Sequence, residues 1–146
     1  MISFDHDYVE EAVARLKKLR ADSPPAWGRM TSGEMLEHLA DTVRYSMGRL
    51  GRLPDKSNWF LRNVIYPLLA HGIIRIPRNA SGPVYPKYAQ RGDLETLHAV
   101  LEEYLALVQA GELEPMPHPL FGPIGVDGWA VMHGLHFEHH MRQFGV

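Results

Sequence analysis

The sequence predicts an all-α protein, an up-and-down four-helix bundle with an additional short helix and long loops. Apolar residues recur at helical spacing over several long segments, clusters of proline and glycine separate these segments, and no strand alternation or repeat competes with this pattern. A chain of 146 residues with 45% hydrophobic content is long enough for one core and short for two. We therefore expect residues 1–146 to form a single helical domain.

The first two helices have clear sequence signals. Apolar residues at helical spacing predict the first helix from about His6 to Arg20, and the two prolines that follow bar its continuation. Thr31 and Glu34 form a capping-box pattern, in which each side chain accepts a hydrogen bond from a backbone N–H at the helix start. We expect this second helix to run to about Met47.

The middle of the chain predicts a short helix and a long loop. The strongly apolar segment from Ser57 to Leu69 predicts the third helix, which Pro67 can kink or shorten. Its expected core residues are Trp59, Phe60 and Ile65. Gly72 to Gly92 shows no sustained period and predicts a long loop, which either covers a functional site or serves as an ordered spacer.

Two further helices complete the chain. Asp93 is the expected N-cap of a long fourth helix with a broad apolar face, and Gly111 ends it. A second proline-rich connection leads to the last helix, predicted from about Gly128 to Phe144.

The last helix carries the most informative feature of the sequence. Four of the nine histidines of the chain fall within eight residues, at positions 133, 136, 139 and 140. Because His136 and His140 are one helical turn apart, their imidazoles project from nearly the same side and can share one metal ion. The best candidate for a third ligand is His38 in the second helix. The alternative is a set of solvated or packed histidines without a metal.

Three imidazoles on one zinc ion would leave a fourth position open for water, whose pKa then falls toward about 7. Glu34, one turn before His38, can accept a hydrogen bond from a ligand or act as general base, although a capping or surface role is the simpler one. His133 and His139 are either outer partners of the ligands or packing residues. His118 either orients the rim of the site or serves in a turn between two prolines.

Composition excludes several classes of protein. The formal net charge of −2, with lysine and arginine spread along the chain, gives no footprint for nucleic acid. No apolar stretch is long enough for a membrane span and no secretory signal is evident, so we expect a cytoplasmic protein without membrane contact. The absence of cysteine leaves imidazole and carboxylate as the strong metal ligands.

The segment Trp27-Gly-Arg-Met-Thr-Ser-Gly-Glu-Met-Leu-Glu-His38 resembles the tryptophan-to-histidine motif of the DinB-like (YfiT-like) metalloenzymes. The ending is similar to one branch of that superfamily, through His118-Pro-Leu-Phe-Gly-Pro, Trp129 and His136-Phe-Glu-His-His-Met-Arg-Gln143-Phe-Gly. One departure is Gly125-Val-Asp-Gly128, where the branch usually has a Ser or Thr cap, so the last helix is expected to begin later or less firmly.

This resemblance implies a four-helix bundle, frequently a homodimer, that binds zinc or nickel through His38, His136 and His140. Gln143 falls where the superfamily often has a glutamine, and we take Gln143 and Glu34 as candidate catalytic residues. Superfamily members include transferases and isomerases that use low-molecular-weight thiols, and some are implicated in hydrolysis. The sequence therefore suggests a metal-dependent transferase or hydrolase acting on a small molecule, with or without such a thiol as co-substrate. The alternative is a non-catalytic metal- or ligand-binding bundle, stress-associated or structural.

Overall fold

A computed structural model describes residues 2–80 and 92–146 of the chain. Within these ranges the protein is helical, and β pairing is limited to an isolated antiparallel bridge between His118 and Gly122. The described residues form five α-helices, α1 (His6–Leu16), α2 (Ser32–Ser46), α3 (Tyr66–Ala70), α4 (Leu94–Gln109) and α5 (Gly125–Gln143). A π-helical segment, Leu61–Ile65, runs directly into α3. The all-α prediction is confirmed.

Side-chain caps begin three of the helices. Asp5 caps α1, Asp93 caps α4, and the capping box predicted for α2 is present in full. In that box the Glu34 backbone N–H donates to Thr31 Oγ1 at 3.1 Å, and the Thr31 N–H donates to Glu34 Oε1 at 3.3 Å. These bonds satisfy backbone donors that have no partner within the helix.

Replacing Thr31 with alanine should destabilise the protein by about 1 kcal/mol, because one N-terminal backbone donor of α2 loses its acceptor. The measurement is the free energy of unfolding in urea. Thr31→Ser is the matched control, since a serine hydroxyl can accept the same hydrogen bond. Equal losses of stability in the two variants would contradict this assignment of the cap.

The bounds of two helices differ from the predicted ones. α1 ends at Leu16 rather than Arg20, because i to i+3 hydrogen bonds such as Leu19 N–H to Leu16 C=O tighten the chain there. α5 begins at Gly125, three residues before the predicted start. No side chain of the described part of the chain caps this end of α5, but Asp127 places an acidic group in its first turn, where the helix dipole favours negative charge.

The prediction that Trp59 and Phe60 are core residues is wrong. Their side chains are 72% and 54% exposed, and Ile65 is only partly buried. The prediction depended on the apolar character of the segment, which does not show which side of a helix faces the core, and the π-helical turn that follows also changes the residue spacing along the packed face. Leu69 is the buried residue of the α3 region.

The four long helices pack pairwise. Helix α1 contacts α4 and α5, and α2 also contacts α4 and α5, so the contacts close into a ring. The main core lies between these helices and includes Val9, Val13, Met35, Leu39, Val43, Leu97, Leu101, Phe137 and Met141. A second buried cluster lies beside α3 and consists of Tyr45, Leu69, Phe121, Trp129 and Met132.

The described part of the predicted long loop, residues 72–80, consists of turns and bends without helix or strand. Residues 81–91 of that loop lie outside the described residues. Among the helices that the structure describes, none is both long enough and apolar enough to cross a membrane.

Candidate metal centre

The three histidines singled out in the sequence meet between α2 and α5. His38 Nε2 lies 2.8 Å from His136 Nε2, and His140 Nε2 lies 3.0 Å from the same atom. The ring planes are steeply inclined to one another, at 76° to 83°. The structure thus brings together the complete predicted ligand set, from positions almost a hundred residues apart, as a group able to hold a metal ion.

Hydrogen bonding among the rings does not account for this geometry. An imidazole nitrogen carries either one N–H or one lone pair in the ring plane, so His136 Nε2 can make one good hydrogen bond but not two. A cation between the rings would satisfy all three nitrogens at once. Zn–N bonds of about 2.0 Å in tetrahedral geometry place such nitrogens about 3.3 Å apart, a few tenths of an ångström beyond the distances here.

The spacing of apolar residues along α2 positions the His38 ring. On α2, Met35, Leu39 and Val43 recur every four residues and are completely buried in the main core. His38 lies on the neighbouring stripe, one turn after Glu34 and one turn before Thr42, whose hydroxyl donates to the His38 carbonyl at 2.9 Å. The apolar stripe of α2 therefore fixes its rotation and leaves the polar stripe facing the site.

Gln143 fixes the orientation of His140. Its Nε2 donates to the Trp27 carbonyl at 3.0 Å, and its Oε1 lies 2.7 Å from His140 Nδ1. Because the carbonyl of Trp27 can only accept, the amide oxygen of Gln143 must face His140, and the Nδ1 of His140 must carry the proton. The Nε2 of His140 then has its lone pair free to bind a metal, as outer-sphere partners of histidine ligands commonly ensure.

The loop that supplies the Trp27 carbonyl is held against the end of α5. The Ala26 N–H donates to the Gln143 carbonyl at 2.7 Å, so the loop contacts Gln143 through both backbone and side chain. Gly28 has a φ of 77°, and a Cβ there would lie 3.1 Å from Gln143 Nε2. Glycine is therefore required for the close approach of this turn.

We expect Gln143→Leu to weaken metal binding by about 10- to 100-fold, the usual cost of removing an outer partner of a histidine ligand. The loss arises because His140 is no longer held in one tautomer and orientation. Affinity is measured by competition with a chelator. Gln109→Leu is the matched control, because Gln109 is exposed at the end of α4. Equal affinities in the two variants would show that Gln143 does not position the ligand.

The electrostatics of the site keep its imidazoles neutral. Burial lowers the pKa of His38 to about 4, with further lowering by His140 and His139, and burial lowers the pKa of His140 as well. The pKa of His136 lies well below its usual value, first through burial and then through the neighbouring rings. Neutral imidazole is the form that binds a metal, so no proton has to leave at neutral pH.

One ring nitrogen of His136 has no partner among the described residues. Its Nδ1 is buried and forms no hydrogen bond with any residue in the described ranges. The orientation of this ring therefore depends on packing, whereas that of His140 depends on Gln143.

The three Nε2 atoms face a cavity of about 570 Å³. Glu34 and Thr42 line it on the α2 side. Ile76, Pro77 and Ala80 of the long loop also line it, which favours the interpretation that this loop covers a functional site.

The remaining histidines have separate roles. His133 is completely buried, stacks on Trp129 and hydrogen bonds Ser46 Oγ at 2.9 Å, so it is a packing residue. His118 has the turn role, since its Nδ1 accepts from the N–H groups of Leu120 and Phe121, and it also lines the cavity. His139 lines the cavity and packs edge-on against both Trp27 and His140.

The two candidate catalytic residues lie in different places. Glu34 lines the cavity, although its carboxylate also serves the capping box. Gln143 is buried behind His140 and is not part of the cavity wall, so the geometry makes it a positioning residue rather than a catalytic one.

A second group of potential ligands, His6, Glu10 and Glu102, lies on the surface between α1 and α4. All three side chains are exposed, and His98 joins them through a 3.0 Å contact with Glu10. Exposed clusters of this kind form ordinary surface ion pairs, which contribute little to stability.

Sequence reasoning missed two parts of the site. The Trp27 carbonyl cannot be identified from a side-chain pattern, because the contributing atom belongs to the backbone. Glu37 and Asp41 also line the cavity, and their positions three residues after Glu34 and three after His38 could have indicated this.

Fold and site together define a helical protein with a three-histidine group able to bind a metal ion at the wall of a cavity. The chain belongs to the DUF1569 family, described as a protein of unknown function, whose family model matches residues 2–145. No curated protein and no solved structure matches the chain.

Proposed function

We propose that this protein is a divalent-metal-dependent enzyme of the DinB-like type, a transferase or hydrolase whose metal is zinc or nickel. The observation that carries this proposal is the convergence of the His38, His136 and His140 Nε2 atoms on one point of a cavity wall. Donor chemistry supports the choice of metal, because three neutral imidazoles suit both zinc and nickel.

The arrangement of helices supports the same assignment. The long helices α1, α4, α2 and α5 contact one another in a closed ring, as expected of a four-helix bundle. The ligands come from two of these helices, which is how metal sites in bundles are generally built.

When bound, a divalent ion with three protein ligands supplies a Lewis acid with a position open to water or substrate. The residues of the chain would hold the reactants around that position. The cavity would hold a small molecule beside the metal ligands, and Glu34 on its wall is the candidate to take up or return a proton. A low-molecular-weight thiol is the proposed co-substrate, since a thiolate can occupy the open position.

Cobalt substitution tests the open position directly. The metal-free protein is loaded with Co²⁺, and its visible absorption spectrum is recorded before and after addition of azide or 2-mercaptoethanol. We expect both additions to change the spectrum and the thiol to add a charge-transfer band, because an exogenous ligand enters the fourth position. The loaded protein is then screened against thiol-transfer and ester substrates.

Two outcomes would contradict the proposal. A spectrum unchanged by either addition would indicate a fourth protein ligand and a metal that only joins helices, which is the non-catalytic alternative. Failure of the protein to bind Co²⁺, Zn²⁺ or Ni²⁺ at one ion per chain would leave a helical scaffold without a metal site.

We also propose that the protein is a homodimer, as the resemblance implies. Trp59, Phe60 and Ile73 are large apolar side chains exposed on the surface of the chain, and their burial against a second copy would be favourable. Light scattering coupled to size exclusion should give twice the chain mass. A chain that is monomeric at all concentrations would contradict this assignment.

A further inference from the structure

The composition of the cavity wall indicates which class of small molecule fits as the substrate. This inference rests on the proposed function. The volume of about 570 Å³ falls in the range of pockets that enclose small organic molecules. Such a molecule would meet the metal ligands at one wall and other side chains over the rest of its surface.

Most of that wall is apolar. Aliphatic side chains from the π-helical segment and α3 form one side, and aromatic rings form another. The His118 ring stacks on Phe121 at 4.7 Å and lies 5.0 Å from the Trp129 ring, so these three lining residues pack together as one aromatic cluster at this side of the cavity. A hydrocarbon or aryl group is the chemistry that gains most from such a wall.

The charged groups among the described lining residues are all of one sign. The described lining residues include the carboxylates of Glu34, Glu37 and Asp41 but no lysine or arginine. Asp41 is neutralised by Arg44, whose Nη1 lies 2.9 Å away, and Glu34 accepts the Thr31 N–H. Glu37 is half-buried and forms no ion pair or hydrogen bond with another residue of the described ranges.

These carboxylates disfavour a substrate that carries a negative charge at its end distant from the metal. A carboxylate or phosphate placed beside Glu37 would be repelled and would find no cationic partner among the described lining residues. An ammonium group there would form an ion pair in a partly desolvated position.

We propose that the substrate is an apolar or aryl-bearing molecule with a compact metal-binding head and a neutral or cationic amine end. Glu37 is the residue that recognises the amine. Thiols that carry several carboxylates are disfavoured.

A matched series of thiols tests this inference. The probes are 2-phenylethanethiols whose para position carries an aminomethyl group, a hydrogen or a carboxymethyl group, titrated into the cobalt-loaded protein and followed by the thiolate charge-transfer band. We expect the amine to bind tightest and the carboxylate weakest, with about a tenfold difference between them. In Glu37→Gln this preference should largely disappear, whereas Glu114→Gln, an exposed site outside the cavity, should retain it.

The outcomes separate this inference from the proposed function. A band that forms with all three thiols but is strongest with the carboxylate would overturn the inference and leave the open metal site intact. Equal binding of the three thiols, or an amine preference that survives Glu37→Gln, would also overturn it. Absence of a band with every thiol would count against the proposed function itself. A second readout is binding of para-methylphenethylamine to metal-free protein by calorimetry, which should also weaken in Glu37→Gln.

Discussion

Replacing His136 with alanine is expected to reduce the affinity of the protein for Zn²⁺ by more than about 100-fold. This loss exceeds the one expected when a hydrogen-bond partner of a ligand is removed, because His136 is itself a candidate ligand. His136 is the central member of the group, because its Nε2 lies within 3.0 Å of the Nε2 atoms of both His38 and His140. Without it, two imidazoles remain on separate helices. The affinity is measured by competition titration, with circular dichroism to verify that the variant is folded.

Two histidine controls make this result specific. His139→Ala removes a ring from the same helix and the same cavity, and His71→Ala removes an exposed ring. Both variants should retain one zinc ion per chain. Retention of zinc by His136→Ala, or its loss in His71→Ala, would show that the metal binds elsewhere.

Acid is expected to destabilise the metal-free protein steeply. Burial lowers the pKa of His133 to about 3 and that of His118 to about 4, whereas in the unfolded chain each has the ordinary value near 6.5. Between these values the unfolded state binds protons that the folded state does not, so stability is intact above pH 6.5 and falls as the pH is lowered. At pH 5 these two residues together should cost about 4 kcal/mol.

The test follows the pH dependence of the free energy of unfolding rather than its absolute value. His133→Gln is destabilised at every pH by lost packing. Between pH 6 and pH 4.5, however, its free energy of unfolding should change less steeply with pH, by about 1.4 kcal/mol per pH unit, because unfolding takes up about one proton fewer. His71→Gln, at an exposed position, should retain the slope of the unsubstituted protein. Parallel slopes for all three proteins would mean that His133 accepts a proton in the folded state.

Much of the helical fold could be predicted from local sequence. Caps such as Thr31 and Asp93 are short-range features, and their hydrogen bonds form within three residues, so they specify helix starts reliably. Helix ends were less accurate, because tightened turns after Leu16 carry no distinctive residue type. The exposure of Trp59 and Phe60 could not be predicted, since apolar character does not show which side of a helix packs and the π-helical turn that follows is not evident in the sequence.

Only the part of the candidate site that depends on local helix geometry could be predicted from spacing. His136 and His140 are placed together by the helix alone, but their meeting with His38 depends on which helices are neighbours. The resemblance of the two motifs to one superfamily supplied that connection. The roles of Gln143 and Glu37 depend on tertiary contacts, with the Trp27 carbonyl and with the cavity, and required the structure.

X-ray absorption at the zinc edge of the loaded protein tests the central claim most directly. We predict a four-coordinate ion with three imidazole nitrogens at about 2.0–2.1 Å and one further light-atom ligand, and the loss of imidazole scattering in His136→Ala. An ion coordinated mainly by carboxylate oxygens, or one with the same imidazole count in His136→Ala, would contradict the convergence of His38, His136 and His140 on a shared cation.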